Sequence, residues 1–320
     1  MFTDQGGLTL ENINLNKDEV GVRSTSRKSK LFQSEHRAAF LFIIIPVVGF
    51  SLFSIIPGAI SIFASLTNWN GLGNMDFVGF SNYTTMFNDT YFWRTLWNTF
   101  YLMIGIPIGL VLSFLLAVGL NRRIAGRQVF RVIYYIPVVS SLAAISILWQ
   151  WAYNGDFGLV NQVLDLFGIN GPNWLQNPDT VKPAIIIMSV WKGVGYSMLL
   201  YLAAIQSVPR TFYEAAELDG ASPLQRFRYI TWPMVKPITF FLVITNIIGG
   251  SQIFTEINIM TPTGGPMYSS ATTVWYLWQQ AFSNLRMGYA SAIATALGVL
   301  IFVITAIQFY INSRSQYKLD

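Results

Sequence analysis

Six stretches of this chain, at about residues 38–66, 96–120, 129–152, 183–205, 236–256 and 290–311, are each long and apolar enough to cross a lipid bilayer. A spanning helix needs about 20 mostly apolar residues to cover a hydrocarbon core of about 30 Å. Inside that core every backbone N–H and C=O must find a partner within the protein, so runs of this length are expected to be helices. Pro46, Pro57, Pro107 and Pro137 fall within these runs. Membrane helices tolerate such prolines, because neighbouring groups re-satisfy the freed backbone. The first run lies behind a long polar stretch and exceeds the apolar region of a cleavable leader, so it is expected to be retained as a span. The expected fold class is an all-α membrane protein with six transmembrane helices.

Composition closes the main alternatives. Of 320 residues, 53% are hydrophobic and only 11% charged, against roughly 25% charged in a soluble domain. That leaves too little polar surface to coat a globule in water. Cysteine is absent and His36 is the one histidine, so the usual zinc sites and Ser/His or Cys/His nucleophilic sites cannot be built. A carboxylate enzyme would need paired acids, whereas Asp76, Asp89, Asp156, Asp165 and Asp179 are scattered through the loops. The net charge of +5 fits basic cytoplasmic loops better than nucleic-acid binding.

Basic residues then set the expected orientation. With the N-terminus in the cytoplasm, the inner side receives Lys17, Arg23, Arg27, Lys28, Lys30 and Arg37. It also receives Arg122, Arg123, Arg127, Arg131, Arg210, Arg226, Arg228, Lys236, Arg314 and Lys318. Of the 20 Lys and Arg, only Arg94, Lys182, Lys192 and Arg286 fall elsewhere. The positive-inside rule therefore predicts N-in and C-in. Residues 1–37 read as a flexible cytoplasmic tail, 38–311 as the transmembrane domain and 312–320 as a short cytoplasmic C-terminus. No internal repeat of 20 to 50 residues is visible.

The inner loop between the fourth and fifth spans, residues 208–235, is the most informative stretch. Pro209 suits the first turn of a helix, and Gly220 the left-handed position just past its end. Ser222 is placed to cap a second helix, with Pro223 at its first position and Gln225 at capping-box spacing. Pro233 is expected to close it. This helix–glycine–helix element is longer than a connector requires. The lesser alternative is an amphipathic segment lying on lipid headgroups.

Glu214-Ala215-Ala216, followed by Gly220, Ile230 and Pro233, resembles the EAA signature of ABC importer permeases, in the form found in the carbohydrate-uptake branch. Phe77-Val-Gly-Phe-Ser-Asn-Tyr83, Thr263-Gly-Gly-Pro266 and Gly288-Tyr-Ala-Ser-Ala292 are similar to stretches of the same branch. The resemblance implies a permease in the bacterial plasma membrane, not itself an enzyme. It also implies a cytoplasmic coupling helix that seats on an ATPase subunit through Glu214, Ala215, Ala216, Asp219 and Gly220. The implied partners are a second permease, with a heterodimer favoured, two P-loop ATPase subunits and an extracellular solute-binding protein. ATP and Mg would be bound by the ATPase, with no cofactor on this chain, which has no Gly-x-x-x-x-Gly-Lys-Ser/Thr run of its own.

A substrate path is harder to read. Thr245, Gly249, Gln252 and Glu256 recur at i, i+4, i+7 and i+11, one face of a continuous helix. Polar groups at membrane depth are costly unless they face protein or a cavity; helix–helix packing would use the same residues. The resemblance to maltose-type permeases adds Trp191, Gly193 and Tyr196 of the preceding span and favours a carbohydrate, such as an oligosaccharide. Lys192 lies near enough the outer half to snorkel. The alternatives are a permease for a polyol or glycerol phosphate, or a secondary transporter with ion-coupling carboxylates, for which Glu256 is the one residue near midplane.

Overall fold

The computed structural model describes residues 40–122 and 124–316; the expected tail at 1–37 and residues 317–320 of the C-terminus lie outside them. The described residues form helices joined by loops, with one isolated bridge, Thr67 to Phe77, and no strand among them. Five helices are long and apolar enough to cross a membrane, or six if one sharply bent pair is a single span.

Two compact units divide between Ala59 and Ile60. The first contains most of helix α1, Phe40–Ala64. Its side chains are apolar and largely exposed, including Phe42, Phe53 and Ile45, as suits a helix whose solvent is lipid. Residues Ser51–Ile55 form a π turn just before Pro57. A proline lacks the N–H for the i−4 carbonyl and its ring crowds that oxygen, and widening the turn relieves both.

The second unit holds the remaining elements. Helix α2 (Ser81–Asn88) and α3 (Thr90–Leu102) precede α4 (Gly105–Asn121). The last two pass as one 32-residue span, so the second span begins earlier than expected. The expected third span differs more. It is α5 (Arg127–Val139) and α6 (Leu142–Ala152), bent by 100°. Pro137 removes a backbone donor, and Ser140 and Ser141 both take extended ψ angles, 148° and 129°. The Ser140 hydroxyl instead bonds back to the carbonyl of Ile136, at 2.8 Å. An unbroken apolar run thus hides a corner.

Helix α7 (Leu159–Asp165) leads to α8 (Val181–Ser207), the central helix of the unit. Its buried side sets large residues such as Met188, Met198 and Tyr201 beside small ones, Ala184, Gly195 and Ser197. An added Cβ on Gly195 would lie 1.9 Å from the carbonyl oxygen of Tyr134 on α5, and Ser113 of α4 donates to the carbonyl of Val194 at 3.0 Å. Close backbone approach with hydroxyl-to-carbonyl bonds is how helices associate where lipid provides no hydrophobic drive.

After α9 (Arg210–Leu218) comes α10, which runs Pro223–Gly250 through a π turn at Phe227–Thr231. The expected stop at Pro233 is therefore wrong: the π turn shifts the bonding pattern so that the helix carries both Pro233 and Pro237. The fifth span is also displaced, ending at Gly250 rather than reaching residue 256. Short α11 (Thr255–Met260) follows, then α12 (Thr273–Trp278) and α13 (Met287–Gln316). One buried cluster joins Phe92, Val181, Ile185, Trp275 and Ile293; another joins Leu110, Met198, Tyr201, Val235 and Leu242. The first ties α3, α8, α12 and α13 together, and the second sets α4, α8 and α10 side by side.

Candidate functional site

Helices α4, α8 and α10 do not close completely, and α11 folds over the gap. A half-open cavity of about 290 Å³ remains, lined among others by Ser189, Gly193, Tyr196, Thr245, Asn246, Gly249 and Glu256. Glycines at 105, 109, 193, 249 and 250 line it as well, so the absence of side chains on three helices makes the space. The Thr245 hydroxyl bonds the carbonyl of Phe241 at 3.0 Å, and the Asn246 amide donates to that of Leu242 at 2.8 Å. That leaves the Asn246 oxygen free to accept. The buried Ser189 hydroxyl has no hydrogen-bond partner among the described residues. Tyr196 is exposed and presents its ring and hydroxyl to the same space.

Five of the six residues expected on a substrate path, Gly193, Tyr196, Thr245, Gly249 and Glu256, line this cavity. Gln252 does not; it is exposed in the turn that ends α10. The single-helix face expected from the spacing is not what unites them, because α10 stops at Gly250 and Glu256 returns on α11. Asn246 and Ser189 were not anticipated. Asn246 carried a legible signal, an amide beside Thr245 in an otherwise apolar helix; a serine like Ser189 carried none. Trp191 packs edge-on against Trp149 at 5.5 Å rather than lining the cavity.

The loop residues form a second, separate arrangement. Gly220 has φ +75°, and the N–H groups of Gly220 and Ala221 bond the carbonyls of Glu217 and Ala216 at 3.1 and 2.8 Å. These are the two bonds of a Schellman cap. Ser222 and Gln225 make the expected capping box. Glu214, Ala215 and Asp219 are exposed and Ala216 half-buried. Arg226 pairs with Glu217 at 3.2 Å, and Tyr213 meets Thr231 at 2.9 Å, holding α9 against the π turn of α10. Phe212, Leu218, Leu224 and Tyr229 are all exposed. The result is a rigid, strongly capped projection with apolar and acidic groups left uncovered.

The other motif stretches prove to be fasteners. The Asn82 amide donates to the carbonyls of Ser65 and Thr67, at 2.9 and 2.8 Å. A Cβ on Gly288 would lie 2.0 Å from the Thr67 oxygen, and one on Gly265 2.2 Å from the Ser270 hydroxyl. Gly265 also has φ +79°, so only glycine fits there. Asp89 accepts the hydroxyls of Tyr276 and Tyr289 at 2.6 and 2.5 Å. Burial pushes its carboxyl up, but these bonds and the N–H groups of Tyr91 and Phe92 outweigh that and hold it below its ordinary value.

Residues 105–317 match the family described as binding-protein-dependent transport system inner membrane component. The lactose transport system permease protein LacF of Rhizobium radiobacter is 34% identical over 293 residues, covering 90% of this chain and 98% of that relative. The arabinooligosaccharides transport system permease protein AraP of Bacillus subtilis (strain 168) is 33% identical, covering 88% and 90% respectively. Among solved structures, a bacterial ABC transporter involved in the import of the acidic polysaccharide alginate has a chain of the same fold. The TM-score is 0.76 at 24% identity, covering 89% of this chain and 99% of that one.

Proposed function

The chain belongs to the family of binding-protein-dependent transport system inner membrane components, and on that premise we propose that it is the permease subunit of an ATP-driven importer for a neutral carbohydrate. It is a multi-pass protein of the bacterial plasma membrane. In this assignment the bent pair α5–α6 counts as one of six spans, with both termini in the cytoplasm. Residues 1–37 and 312–320 are cytoplasmic tails flanking a transmembrane domain at 38–311. The lopsided distribution of Lys and Arg supports that orientation.

The capped projection at 208–235 is assigned as the coupling element, seated on one of two P-loop ATPase subunits that bind ATP and Mg. Its exposed Glu214, Ala215, Asp219 and Gly220, with Ala216 at their edge, offer an acid and small residues for close docking. A second, related permease would complete the path, and an extracellular solute-binding protein would deliver the solute. The half-open form of the cavity supports a partner that closes its other side.

The cavity between α4, α8 and α10 carries the assignment of solute. Tyr196 offers an aromatic face. Thr245, Asn246 and Ser189 offer hydroxyl and amide groups, and Glu256 a charged acceptor for sugar hydroxyls. No Lys or Arg lines it, which argues against a phosphate or other anion. The relatives named for lactose and arabinooligosaccharides support the same class.

The test is to purify the chain from its native membrane with its companions and measure ATPase activity in liposomes. A P-loop ATPase should co-purify, and neutral oligosaccharides presented with the binding protein should stimulate hydrolysis. Stimulation by phosphorylated solutes alone would overturn the carbohydrate assignment. Absence of any ATPase partner would overturn the importer itself.

A further inference from the structure

A second cavity, of about 590 Å³, lies between the end of α6, the 154–176 loop and the turn at 260–266. It is about twice the size of the first and open. Gln150, Trp151, Tyr153, Asn154, Asn173 and Gln176 are among its lining residues, with two threonines of the turn. None of the lining residues is charged.

This wall is rich in unused hydrogen-bonding capacity. The Asn173 and Gln176 side-chain amides make no hydrogen bond among the described residues, whereas Asn161 and Asn154 nearby are occupied by the backbone. Gln150 uses only its NH₂ group, on the carbonyl of Ile259 at 3.3 Å. Each free amide pairs a donor with an acceptor, matching the paired donor and acceptor of a sugar hydroxyl. Trp151, 53% exposed, offers an apolar face against which the C–H side of a sugar ring can lie. An anion would find no cation here, and a purely apolar ligand would strand the two free amides, Asn173 and Gln176.

The position gives the cavity a place in transport. Helix α11 is the partition between the two cavities: Glu256 at its start lines the first, and Met260 at its end lines the second. A ladder of rings also joins the two regions. Trp174 meets Tyr153 at 5.6 Å, Tyr153 meets Trp149 at 5.1 Å, and Trp149 meets Trp191 at 5.5 Å, two residues from Gly193.

We propose that this cavity is a second carbohydrate subsite, which holds a neutral saccharide on the outer side of α11 before it passes to the cavity at Glu256. The inference rests on the carbohydrate-importer assignment and its orientation. It adds a waiting position on this chain, separate from the path within the membrane.

The sequence contains no cysteine, so Thr263→Cys creates a unique thiol in the cavity wall and Leu166→Cys one on a surface 84% exposed. The assembled transporter, without its binding protein, is treated with a maleimide in the presence of maltotriose, lactose or arabinotriose. ATPase stimulation by each sugar is measured in parallel, with binding protein. A sugar that stimulates hydrolysis should slow labelling of Thr263→Cys roughly tenfold at about ten times its half-protecting concentration, and leave Leu166→Cys unchanged. Adding Gln176→Ala should raise the half-protecting concentration roughly fivefold. Stimulation without protection overturns the subsite alone. Protection by the binding protein without sugar also overturns it, identifying a protein contact instead. Neither stimulation nor protection by any of the three sugars overturns the subsite together with the assignment on which it rests.

Discussion

Removing the carboxylate of Asp89 should cost this fold more than any other single loop substitution, and the loss can be worked out from its partners. Asp89 caps α3 through the N–H of Tyr91 at 2.9 Å and accepts the hydroxyls of Tyr276 beyond α11 and Tyr289 on α13. One residue thereby ties the start of a span to two distant elements. A lost N-cap costs about 1 kcal/mol, and each bond to a charged acceptor about 1.5–3 kcal/mol. Taking the lower figures, Asp89→Ala should destabilise by about 4 kcal/mol. For a unit of this size about 2 °C accompanies each kcal/mol, so the melting temperature should fall by about 8 °C. Scanning fluorimetry of the purified assembly at one fixed heating rate measures this. Adding Tyr276→Phe and Tyr289→Phe to Asp89→Ala should recover part of the loss, since the stranded hydroxyls are then gone. The folded carboxyl lies below its ordinary value of 3.8, so its stabilisation is present above that value and disappears as pH falls through the lower folded one. The gap between wild type and Asp89→Ala should hold steady near neutral pH and narrow only in acid. A melting temperature within about 1 °C of wild type, or a gap that widens as pH falls, would refute the account of this network.

Three further outcomes follow from single positions. Gly220→Ala places a Cβ at φ +75°, costing about 1–2 kcal/mol locally; solute-stimulated ATPase activity should drop while the amount of chain in the membrane stays the same. Gly195→Leu drives a side chain into the Tyr134 carbonyl, 1.9 Å from the first added atom. It should prevent α5 from seating against α8 and sharply reduce recovery of folded protein from the membrane, whereas Gly193→Ala, with open space beside it, should not. Glu256→Gln removes a charged acceptor from the cavity and should raise the half-saturating sugar concentration for transport roughly tenfold, read by uptake of labelled saccharide.

How much of this was legible in the sequence depends on which physical rule was asked. The rule that long apolar runs must be helical in lipid found the five helices long enough to cross and the bent pair α5–α6, because it depends only on length and hydropathy. Rules of local chemistry also held where the backbone was exposed: Gly220 takes the left-handed cap and Ser222 with Gln225 the capping box. Failures came at two prolines. Pro233 signalled a stop, yet a π turn at Phe227–Thr231 carries the helix past it. Pro137 signalled a tolerated kink, yet the chain turns through 100° three residues later. In lipid the cost of unsatisfied backbone is met by a local rearrangement near these two prolines, and its form depends on neighbours that sequence does not reveal. The substrate path shows the converse. The helical phase linking Thr245 to Glu256 was wrong, because the helix ends between them, and Gln252 was lost with it. Glu256 still reaches the cavity, because a carboxylate in an apolar neighbourhood must face either water or protein, whatever carries it there. The cost of burying polarity pointed to residues that line one cavity; the geometry of the helix did not.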